Sequence, residues 1–493
     1  ATIVDGKIVG IICKRYLAGD GIHYEPRWFK PWPLQVRDTF MAPDTGEEIP
    51  LGDLIIEVSG LRIGFEICED AWVARRPGSD LAANAVDLIL NPSASHFAFG
   101  KREIRRRFVQ EGSRAFGVSY VYANLLGNEA GRALYDGQTL IASDGKILSE
   151  GPRFFAGSFT VITTEINVHL TRLAQARTTS HRITLPSHSN PLLVRAEYRW
   201  SESTGTNNEP SAIPAWENSA TLKEEEFTRA VSMGLFDYLR KSHTRGFTVS
   251  LSGGADSAAV VCLIHLMVQR YLEENPTWFF QCLPFLQQSS DAKEITHQLL
   301  ITAYQATKNS GAVTQHAAEA LAQAIGAKHY HLDLSDIHQG YLSMMESALH
   351  RPLSWEHDDI ALQNIQARLR APGVWMLANL SQSLLLTTSN RSEAAVGYAT
   401  MDGDTAGSLA PIAGIDKAWL RSWLRWLESD LPILHVINKQ HPTAELRPAS
   451  AHQTDEDDLM PYPLLDAMER AAIRDKQSPA EVLAEMRSEE RRV

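Results

Sequence analysis

A strand, a glycine loop and an apolar helix follow one another near the middle of the chain. They read Gly246-Phe-Thr-Val-Ser-Leu251, then Ser252-Gly-Gly-Ala-Asp-Ser257, then an apolar run over residues 258–268 that a single histidine interrupts. A strand, a loop and a buried helix in this order open a doubly wound parallel sheet. The segment therefore predicts an α/β domain, which we place at residues 221–493 because an amphipathic helix precedes the strand.

The glycine loop has the composition of a phosphate-binding site. Gly253 and Gly254 let backbone N–H groups approach an anion without a Cβ in the way, and the following helix adds partial positive charge. The hydroxyls of Ser252 and Ser257 can donate hydrogen bonds, and the Asp256 carboxylate can hold Mg²⁺. The loop lacks the Gly-Lys-Ser/Thr ending of a Walker A motif. The alternative interpretation is a tight strand-to-helix turn without a ligand.

The composition is that of an ordinary globular protein with two or three domains. The chain has 493 residues, 44% of them hydrophobic and 22% charged, and its 47 basic and 59 acidic side chains give a net charge of −12. This acidic balance opposes general affinity for nucleic acid. No apolar run approaches the roughly 18 residues that span a bilayer, which opposes a membrane partner. Four cysteines without a C-x-x-C spacing predict a reducing compartment, and hence a cytoplasmic location.

The rest of the chain reads as a second α/β region followed by a linker. Over residues 1–175, short apolar strands alternate with turns, and a helical stretch at 103–116 interrupts them. Residues 176–220 lose this periodicity and are rich in Ser, Thr, Asn, Pro and His. We therefore predict domains at 1–175 and 221–493, joined by a linker at 176–220.

Motifs downstream of the loop point to one family. The loop itself matches the pyrophosphate loop of ATP pyrophosphatases, which adenylylate a substrate and release pyrophosphate. A resemblance to the NAD synthetase family rests on Ala361-Leu-Gln-Asn-Ile-Gln-Ala-Arg-Leu-Arg370, Leu386-Thr-Thr-Ser-Asn-Arg-Ser-Glu393, Pro411-Ile-Ala-Gly-Ile-Asp-Lys417 and Gln453-Thr-Asp-Glu456. It implies ATP-dependent amidation of deamido-NAD to NAD through an acyl-adenylate, with AMP and pyrophosphate released. It also implies a homo-oligomer that uses ATP, Mg²⁺ and small-molecule substrates.

The resemblance assigns roles to individual residues. It implies that ATP is bound by Ser252, Gly253, Gly254, Asp256, Ser257 and Thr388, and Mg²⁺ by Asp256 and Glu393. It implies that deamido-NAD is bound by Asn364, Arg368, Arg370, Asp404, Lys417, Asp455 and Glu456. Taken alone, Arg368 and Arg370 could be helix-surface charges, and residues 455–458 a solvated acidic run. The chain also departs from the family, with Thr400-Met401-Asp402 where many relatives have Thr-Lys before Gly-Asp.

A cysteine in the first region points to a source of ammonia. It lies in Arg62-Ile-Gly-Phe-Glu-Ile-Cys-Glu-Asp-Ala-Trp72, directly after an apolar strand, where an ordinary core cysteine is the alternative interpretation. This segment and Asn91-Pro-Ser-Ala-Ser-His-Phe97 resemble the nitrilase family as fused to NAD synthetases. The resemblance implies an incomplete nitrilase-like α-β-β-α sandwich that hydrolyses glutamine. It assigns the nucleophile to Cys68, oxyanion stabilisation to Lys14, and glutamine binding to Glu69, Ser95 and Arg102.

One element of the nitrilase pattern is missing from this chain. The family's general-base glutamate lies well before the lysine, but only 13 residues precede Lys14 and none is a glutamate. Glu25 and Glu66 lie too close to their neighbours in sequence to replace it. We expect either an amino-terminally incomplete fragment, which the opening hairpin and the missing Met favour, or an inactive glutaminase. The alternatives left open are an ammonia-only NAD synthetase, a pyrophosphatase acting on tRNA, and a non-enzymatic nitrilase-like part that serves assembly.

Overall fold

The computed structural model describes residues 1–19, 21–177, 191–200, 213–403, 405–440, 446–447 and 454–490. Of these, residues 488–490 are described without their side chains. These residues form two compact units, Ala1–Glu226 and Phe227–Val493. The predicted linker at 176–220 lies partly outside the described residues. Inside it, Leu193–Ala196 forms a strand that pairs in parallel with Ile55–Val58. Four residues between loop-forming neighbours are too few to show a periodicity, which is why the sequence did not predict this strand.

The first unit is built around three sheets. Its strands are β1 (Thr2–Val4), β2 (Lys7–Ile12), β3 (Arg37–Met41), β4 (Glu48–Gly52), β5 (Ile55–Val58), β6 (Leu61–Phe65), β7 (Leu88–Ser93), β8 (Ser119–Asn124), β9 (Leu126–Glu129), β10 (Ala133–Asp136), β11 (Thr139–Ser143), β12 (Lys146–Glu150) and β13 (Leu193–Ala196). The helices are α1 (Pro77–Ala83), α2 (Lys101–Ala115) and α3 (Val168–Arg177), with 3-10 turns at Glu25–Arg27, Cys68–Ala71 and Ala215–Asn218. The sheet orders are β12-β11-β8-β7-β6-β5-β13, β1-β2-β4-β3 and β10-β9.

Apolar side chains cover both faces of the seven-stranded sheet. On one face, Leu81 of α1 and Val109 of α2 pack with Ile89 and Tyr120. On the other face, Ile56 packs against apolar residues of β1 and β2 in the four-stranded sheet. Burying one such aliphatic side chain stabilises a fold by about 1.5–3 kcal/mol. The two clusters therefore fix a layered order of helices, large sheet and small sheet.

The second unit is a parallel sheet surrounded by helices. Its strands are β14 (Phe247–Ser250), β15 (Leu300–Ala306), β16 (Lys328–Asp333) and β17 (Leu384–Leu386), in the order β16-β15-β14-β17. All three pairings are parallel. Because β14 lies between β15 and β17, the chain builds the sheet first to one side of β14 and then to the other. The predicted doubly wound parallel sheet is confirmed.

The helices of this part of the chain begin with α4, which starts before the division between the units. They are α4 (Leu222–Ser242), α5 (Ala255–Glu274), α6 (Pro276–Cys282), α7 (Ala292–Leu299), α8 (Ala312–Ile325), α9 (Ser335–Leu349), α10 (Trp355–Ser381), α11 (Arg391–Val396), α12 (Lys417–Leu427), α13 (Leu434–Asn438), α14 (Asp455–Asp458), α15 (Tyr462–Glu469) and α16 (Pro479–Glu490). A π-helical turn at Arg470–Arg474 follows α15. The apolar run predicted to be a buried helix is α5, in which residues 258–264 are 0% exposed. Over the described residues, we find no helix with the length and apolar character needed to cross a membrane.

Candidate active sites

The glycine loop joins the carboxyl end of β14 to the amino end of α5. Gly253 has a φ of +83°, and a Cβ there would lie 2.1 Å from the carbonyl oxygen of Thr314, so no side chain fits. Ser257 is buried, and its hydroxyl accepts from the N–H of Ser252 and donates to the carbonyl of Gly254, both at 3.2 Å. Ser257 therefore closes the loop on itself, while Ser252 and Gly254 line a cleft.

The cleft lies at the carboxyl ends of β14, β15 and β17, where ligands bind in open parallel sheets. Its volume is about 1580 Å³, counted with its open mouth. Eight of the predicted site residues line it: Ser252, Gly254, Asp256, Arg370, Thr388, Glu393, Lys417 and Asp455. Gly253 and Ser257 lie in the loop behind the lining. Asp404 lies outside the described residues.

A buried lysine joins the two predicted metal ligands. The Lys417 ammonium forms ion pairs with the carboxylates of Asp256 and Glu393, the second at 3.0 Å. Asn390 Nδ2 donates to the other oxygen of Asp256 at 3.0 Å. Burial by itself would lower the pKa of Lys417, but the two carboxylates outweigh it and raise that pKa well above its ordinary value. Burial, followed by the charge of Asp256, raises the pKa of Glu393 to about 7.

Short side chains at helix starts hold this cluster in place. Asn390 is the N-cap of α11, and its side chain accepts from the N–H of Glu393 at 3.0 Å. Ser392 accepts from the N–H of Lys417 at 2.9 Å and donates to the buried Asp466. Sequence reasoning missed Asn390, Ser392 and Asp466. An asparagine directly before a helical segment is the signal that could have indicated the first of them.

Asp256 and Glu393 fit a site for Mg²⁺. Both carboxylates reach the same ammonium group, so their negative charges converge on one point. Mg²⁺ binds to one or two protein carboxylates and takes its other ligands from phosphate oxygens and water. Within the part of the chain that the structure describes, no group of three or more His, Cys, Asp or Glu side chains could hold a metal. A two-carboxylate site of this kind suits a metal that arrives with a nucleotide.

Two residues predicted to bind the dinucleotide hold a loop. Arg368 Nε donates to the carbonyl of Met401 at 3.1 Å, and Asn364 Oδ1 accepts from the hydroxyl of Thr400 at 3.1 Å. Both therefore contact the segment in which the chain departs from the family pattern. Arg370, on the same helix, lines the cleft.

The acidic run at residues 455–458 begins with a buried residue. Asp455 is 5% exposed, and its Oδ2 accepts from the hydroxyl of Tyr462 at 3.2 Å. Burial raises the pKa of Asp455. Glu456 lies outside the cleft lining, and its Oε1 accepts from the backbone N–H of Tyr462 at 3.1 Å. The run thus anchors α15 beside the cleft rather than forming only a solvated face.

In the first unit, Cys68 follows β6 in a strained turn. Its φ is +50°, in the left-handed region that residues with a Cβ rarely adopt, and such strain is common at functional sites. Buried Asp70 fixes this turn, because its carboxylate accepts from the N–H of Ile67 at 2.9 Å and from the N–H of Tyr16 at 2.8 Å. Asp70 therefore ties the Cys68 turn to the backbone next to Lys14. The sequence analysis assigned no role to Asp70.

Lys14 is paired with a glutamate. Lys14 Nζ lies 2.5 Å from Glu25 Oε2, and the same oxygen accepts from the N–H of Ala18 at 2.7 Å. The N–H of Glu25 donates to the carbonyl of Ala18 at 3.0 Å, so Glu25 and Ala18 lie side by side. The contact with Ala18 places Glu25 beside Lys14. The sequence analysis did not predict that these two residues pair.

Lys101, the neighbour of the predicted Arg102, lies within electrostatic reach of Cys68. Burial is the main cause that lowers the pKa of Lys101 to about 8, and the charge of Cys68 acts in the opposite direction. Arg102 Nε lies 3.1 Å from Glu150 and 3.3 Å from Glu217, whose side chains are 3% and 2% exposed. These two buried carboxylates hold the Arg102 guanidinium. The sequence analysis had instead predicted that Arg102 contacts glutamine.

The other predicted glutamine-binding residues lie near the carboxyl ends of strands in the seven-stranded sheet. Strands β6, β7 and β8 run parallel, so the residues that follow β6 and β7 meet there. Glu69 follows Cys68 in the same 3-10 turn. Ser95 is buried; its N–H donates to Asn124 Oδ1 at 2.9 Å, and its hydroxyl accepts from Arg105 at 3.3 Å.

Two family models match the chain, one in each unit. The carbon-nitrogen hydrolase model matches residues 4–176, and the NAD synthase model matches residues 227–493. A crystal structure of a glutamine-dependent NAD(+) synthetase from Cytophaga hutchinsonii is similar, with a TM-score of 0.77 and 40% identity, over 98% of this chain and 72% of that one. The chain belongs to the glutamine-dependent NAD synthetase family.

Eukaryotic members of the glutamine-dependent NAD synthetase family are more distant. The Schizosaccharomyces pombe protein, a putative glutamine-dependent NAD(+) synthetase, is 30% identical over 92% of this chain and 70% of its own length. The Homo sapiens glutamine-dependent NAD(+) synthetase is 30% identical over 92% of this chain and 69% of its own length. The predictions of family, of fold class and of an enzyme are confirmed, and the roles of individual residues stay predictions.

Proposed function

We propose that this protein amidates deamido-NAD to NAD, consuming ATP with Mg²⁺ and taking ammonia from glutamine. The proposal is carried by two sites in one chain. One is the glycine loop beside Asp256, Glu393 and Lys417, and the other is Cys68 in a turn tied to the Lys14 segment. We further propose that its partners are small molecules rather than nucleic acid or membrane, and that it works in the cytoplasm.

In the second unit, the nicotinate carboxylate would attack the α-phosphorus of ATP and displace pyrophosphate, forming an acyl-adenylate. Backbone N–H groups of the loop and the amino end of α5 hold the phosphates. Asp256 and Glu393 would hold Mg²⁺, which would supply charge neutralisation for the leaving pyrophosphate. Lys417 adds a positive charge at the same place, and its raised pKa keeps it protonated. Ammonia then attacks the acyl carbon, and AMP leaves as the amide forms.

In the first unit, the Cys68 sulfur would attack the side-chain amide carbon of glutamine. Lys14 and the backbone N–H of Glu69 stabilise the oxyanion of the tetrahedral adduct. The adduct collapses to a thioester, and the departing amine takes up the proton that the thiol gave up and leaves as ammonia. Water then hydrolyses the thioester to glutamate and frees the thiol. The ion pair with Glu25 holds Lys14 in place throughout.

For the α-carboxylate of glutamine we assign Lys101 in place of Arg102. Lys101 is the first residue of α2, where the helix amino terminus adds partial positive charge, and it lies near Cys68. The Arg102 guanidinium is already satisfied by two buried carboxylates. Ser95 and Glu69 keep their proposed place at the glutamine.

The test of this function is an assay with ATP, Mg²⁺ and deamido-NAD, supplied in parallel with ammonium or glutamine, that follows NAD and AMP. We expect NAD from both nitrogen sources, which requires a general base other than the glutamate that is missing before Lys14. NAD from ammonium alone would replace the proposal with the ammonia-only alternative. No NAD from either source, with a folded protein, would overturn it.

The exposed face of α9 supports the expected homo-oligomer. Ile337, Tyr341 and Met344 are 43–55% exposed and fall on one stripe of the helix. No residue of this helix is buried. Exposed apolar patches mark interaction sites, and we propose that a second copy of the chain covers this one.

Met344→Glu is expected to shift the dimer toward monomer, because an interface that buries an unpaired carboxylate is strongly disfavoured. Analytical ultracentrifugation over a range of concentrations measures this shift. Ile473→Glu, at a 62% exposed apolar residue away from α9, is the matched control and should change nothing. A monomeric wild-type protein would contradict the prediction, as would an unchanged dimer of the Met344 variant.

A further inference from the structure

His96 lies between Lys101 and His23, and His23 belongs to the segment that carries Lys14 and Glu25. His23 Nε2 lies 2.9 Å from His96 Nδ1. Lys101 Nζ lies 3.1 Å from His96 Nε2 and 3.3 Å from His96 Nδ1. The reaction proposed above gives no role to either histidine.

The backbone that carries His96 is firmly held. Arg105 is 0% exposed and pairs with Asp136 at 2.6 Å. The same guanidinium donates to the carbonyl of Ser95 at 2.8 Å and to the carbonyl of His96 at 3.0 Å. Asn124 Nδ2 donates to the Ser95 carbonyl as well, at 2.9 Å. His96 is therefore presented to Lys101 from a rigid support.

Both histidines are held in their neutral form. Burial, with the charge of Lys101 next, lowers the pKa of His96 to about 4 and also lowers the pKa of His23. The other charged or titratable groups that face the cluster are Lys14, Glu25, Cys68, Glu69, Arg105, Glu129 and Asp136. A neutral imidazole has one N–H and one lone pair. The His23 contact and the shorter Lys101 contact are both satisfied when Lys101 donates to His96 Nε2 and the Nδ1–H of His96 donates to His23 Nε2, a tautomer assigned from the hydrogen-bond pattern.

We propose that His96, oriented by His23, positions the Lys101 ammonium as the anchor for the α-carboxylate of glutamine. This inference rests on the glutaminase part of the proposed function. A lysine ends a flexible four-carbon stem, so it needs an acceptor to hold one position. A neutral imidazole supplies that acceptor without cancelling the charge. A carboxylate partner, like those that hold Arg102, would compete with the carboxylate of the substrate.

The cluster also sets a limit at high pH. Because burial lowers the pKa of Lys101 to about 8, its ammonium is lost as the pH rises through that value, where an ordinary lysine stays charged. We expect kcat/KM for glutamine to fall above about pH 8. Lys101→Arg keeps its charge over this range, so this variant should lose that fall.

The test of positioning is His96→Phe, which keeps a ring of similar size and removes the acceptor. KM for glutamine should rise about tenfold or more, the effect of losing one hydrogen bond to a charged group. The kcat at saturating glutamine should change by less than about twofold, because binding and not chemistry is affected. His96→Gln, which retains an acceptor, should restore most of the wild-type KM. His169→Phe, at an exposed histidine of α3, is the matched control.

A glutamine analogue with a diazoketone in place of the side-chain amide separates the possible failures. It alkylates a reactive cysteine, and intact-protein mass spectrometry yields both the half-saturation concentration and the alkylation rate. If the wild-type protein neither alkylates at Cys68 nor makes NAD from glutamine, the proposed glutaminase fails, and the inference fails with it. If the wild-type protein alkylates but His96→Phe leaves the half-saturation concentration unchanged, the positioning role alone is overturned. A lowered kcat at unchanged KM would overturn it too.

Discussion

Cys68→Ala is expected to abolish NAD formation from glutamine, by on the order of 10³-fold or more, and to leave NAD formation from ammonium unchanged. In the proposed mechanism the Cys68 sulfur forms the bond to the amide carbon, whereas free ammonium bypasses that step. Alanine keeps the Cβ, so the variant meets the same left-handed backbone at position 68 without a new clash. Steady-state rates with each nitrogen source, measured on the same protein sample, give the two numbers.

Cys13→Ala is the matched control for this experiment. Cys13 is a free, partly buried cysteine of the same unit, as Cys68 is. It should keep both activities. Retention of the glutamine-dependent rate by Cys68→Ala would remove the cysteine from the mechanism. Loss of both rates would mean that the substitution acts on the whole fold.

Asp256→Asn is expected to lower NAD formation by about 10²–10³-fold with glutamine and with ammonium alike. Asparagine has nearly the same shape, but it cannot provide the negative charge that the proposed Mg²⁺ site needs. The substitution also removes one of the two carboxylates that pair with the Lys417 ammonium and leaves the pair with Glu393. The activation step precedes the use of ammonia, so both nitrogen sources suffer equally. Measured kcat and KM for ATP check this result.

Asp336→Asn is the control for Asp256. Asp336 is the second residue of α9, as Asp256 is the second residue of α5, so the two substitutions disturb the first turn of a helix in the same way. The control should keep full activity, and thermal unfolding should show that both variants fold. A loss confined to the glutamine-dependent rate would contradict the assignment of Asp256 to the ATP site.

The sequence was most informative where a function depends on a few consecutive residues. The loop at residues 252–257 and the helix after it consist of consecutive residues, and a strand, loop and helix in this order predict a parallel sheet. Cys68 was also visible, because it directly follows an apolar strand. The fold class and the family could therefore be predicted without coordinates.

Groups that meet across long stretches of chain could not be predicted. The Glu25 pair with Lys14 depends on how a loop turns back, and the cluster of His23, His96 and Lys101 depends on the packing of separate segments. The assignment of the glutamine carboxylate illustrates a further limit of sequence analysis: the sequence suggested Arg102, whereas our proposal uses Lys101. Successive residues of an α-helix point about 100° apart, so a shift of one position changes which side chain is available to the proposed glutamine site.

Asp70 has a consequence for how the first unit gains and loses its activity. One carboxylate holds the amides of Tyr16 and Ile67, and Asp70 lies 54 residues from Tyr16 along the chain. Closing so long a loop is entropically costly, so the site assembles only once distant segments have met. Because Asp70 joins the two segments, a local unfolding that breaks one of its hydrogen bonds is expected to break the other as well. Hydrogen exchange should therefore release the Tyr16 and Ile67 amides together, and the glutaminase should switch on and off as one cooperative unit rather than decay residue by residue.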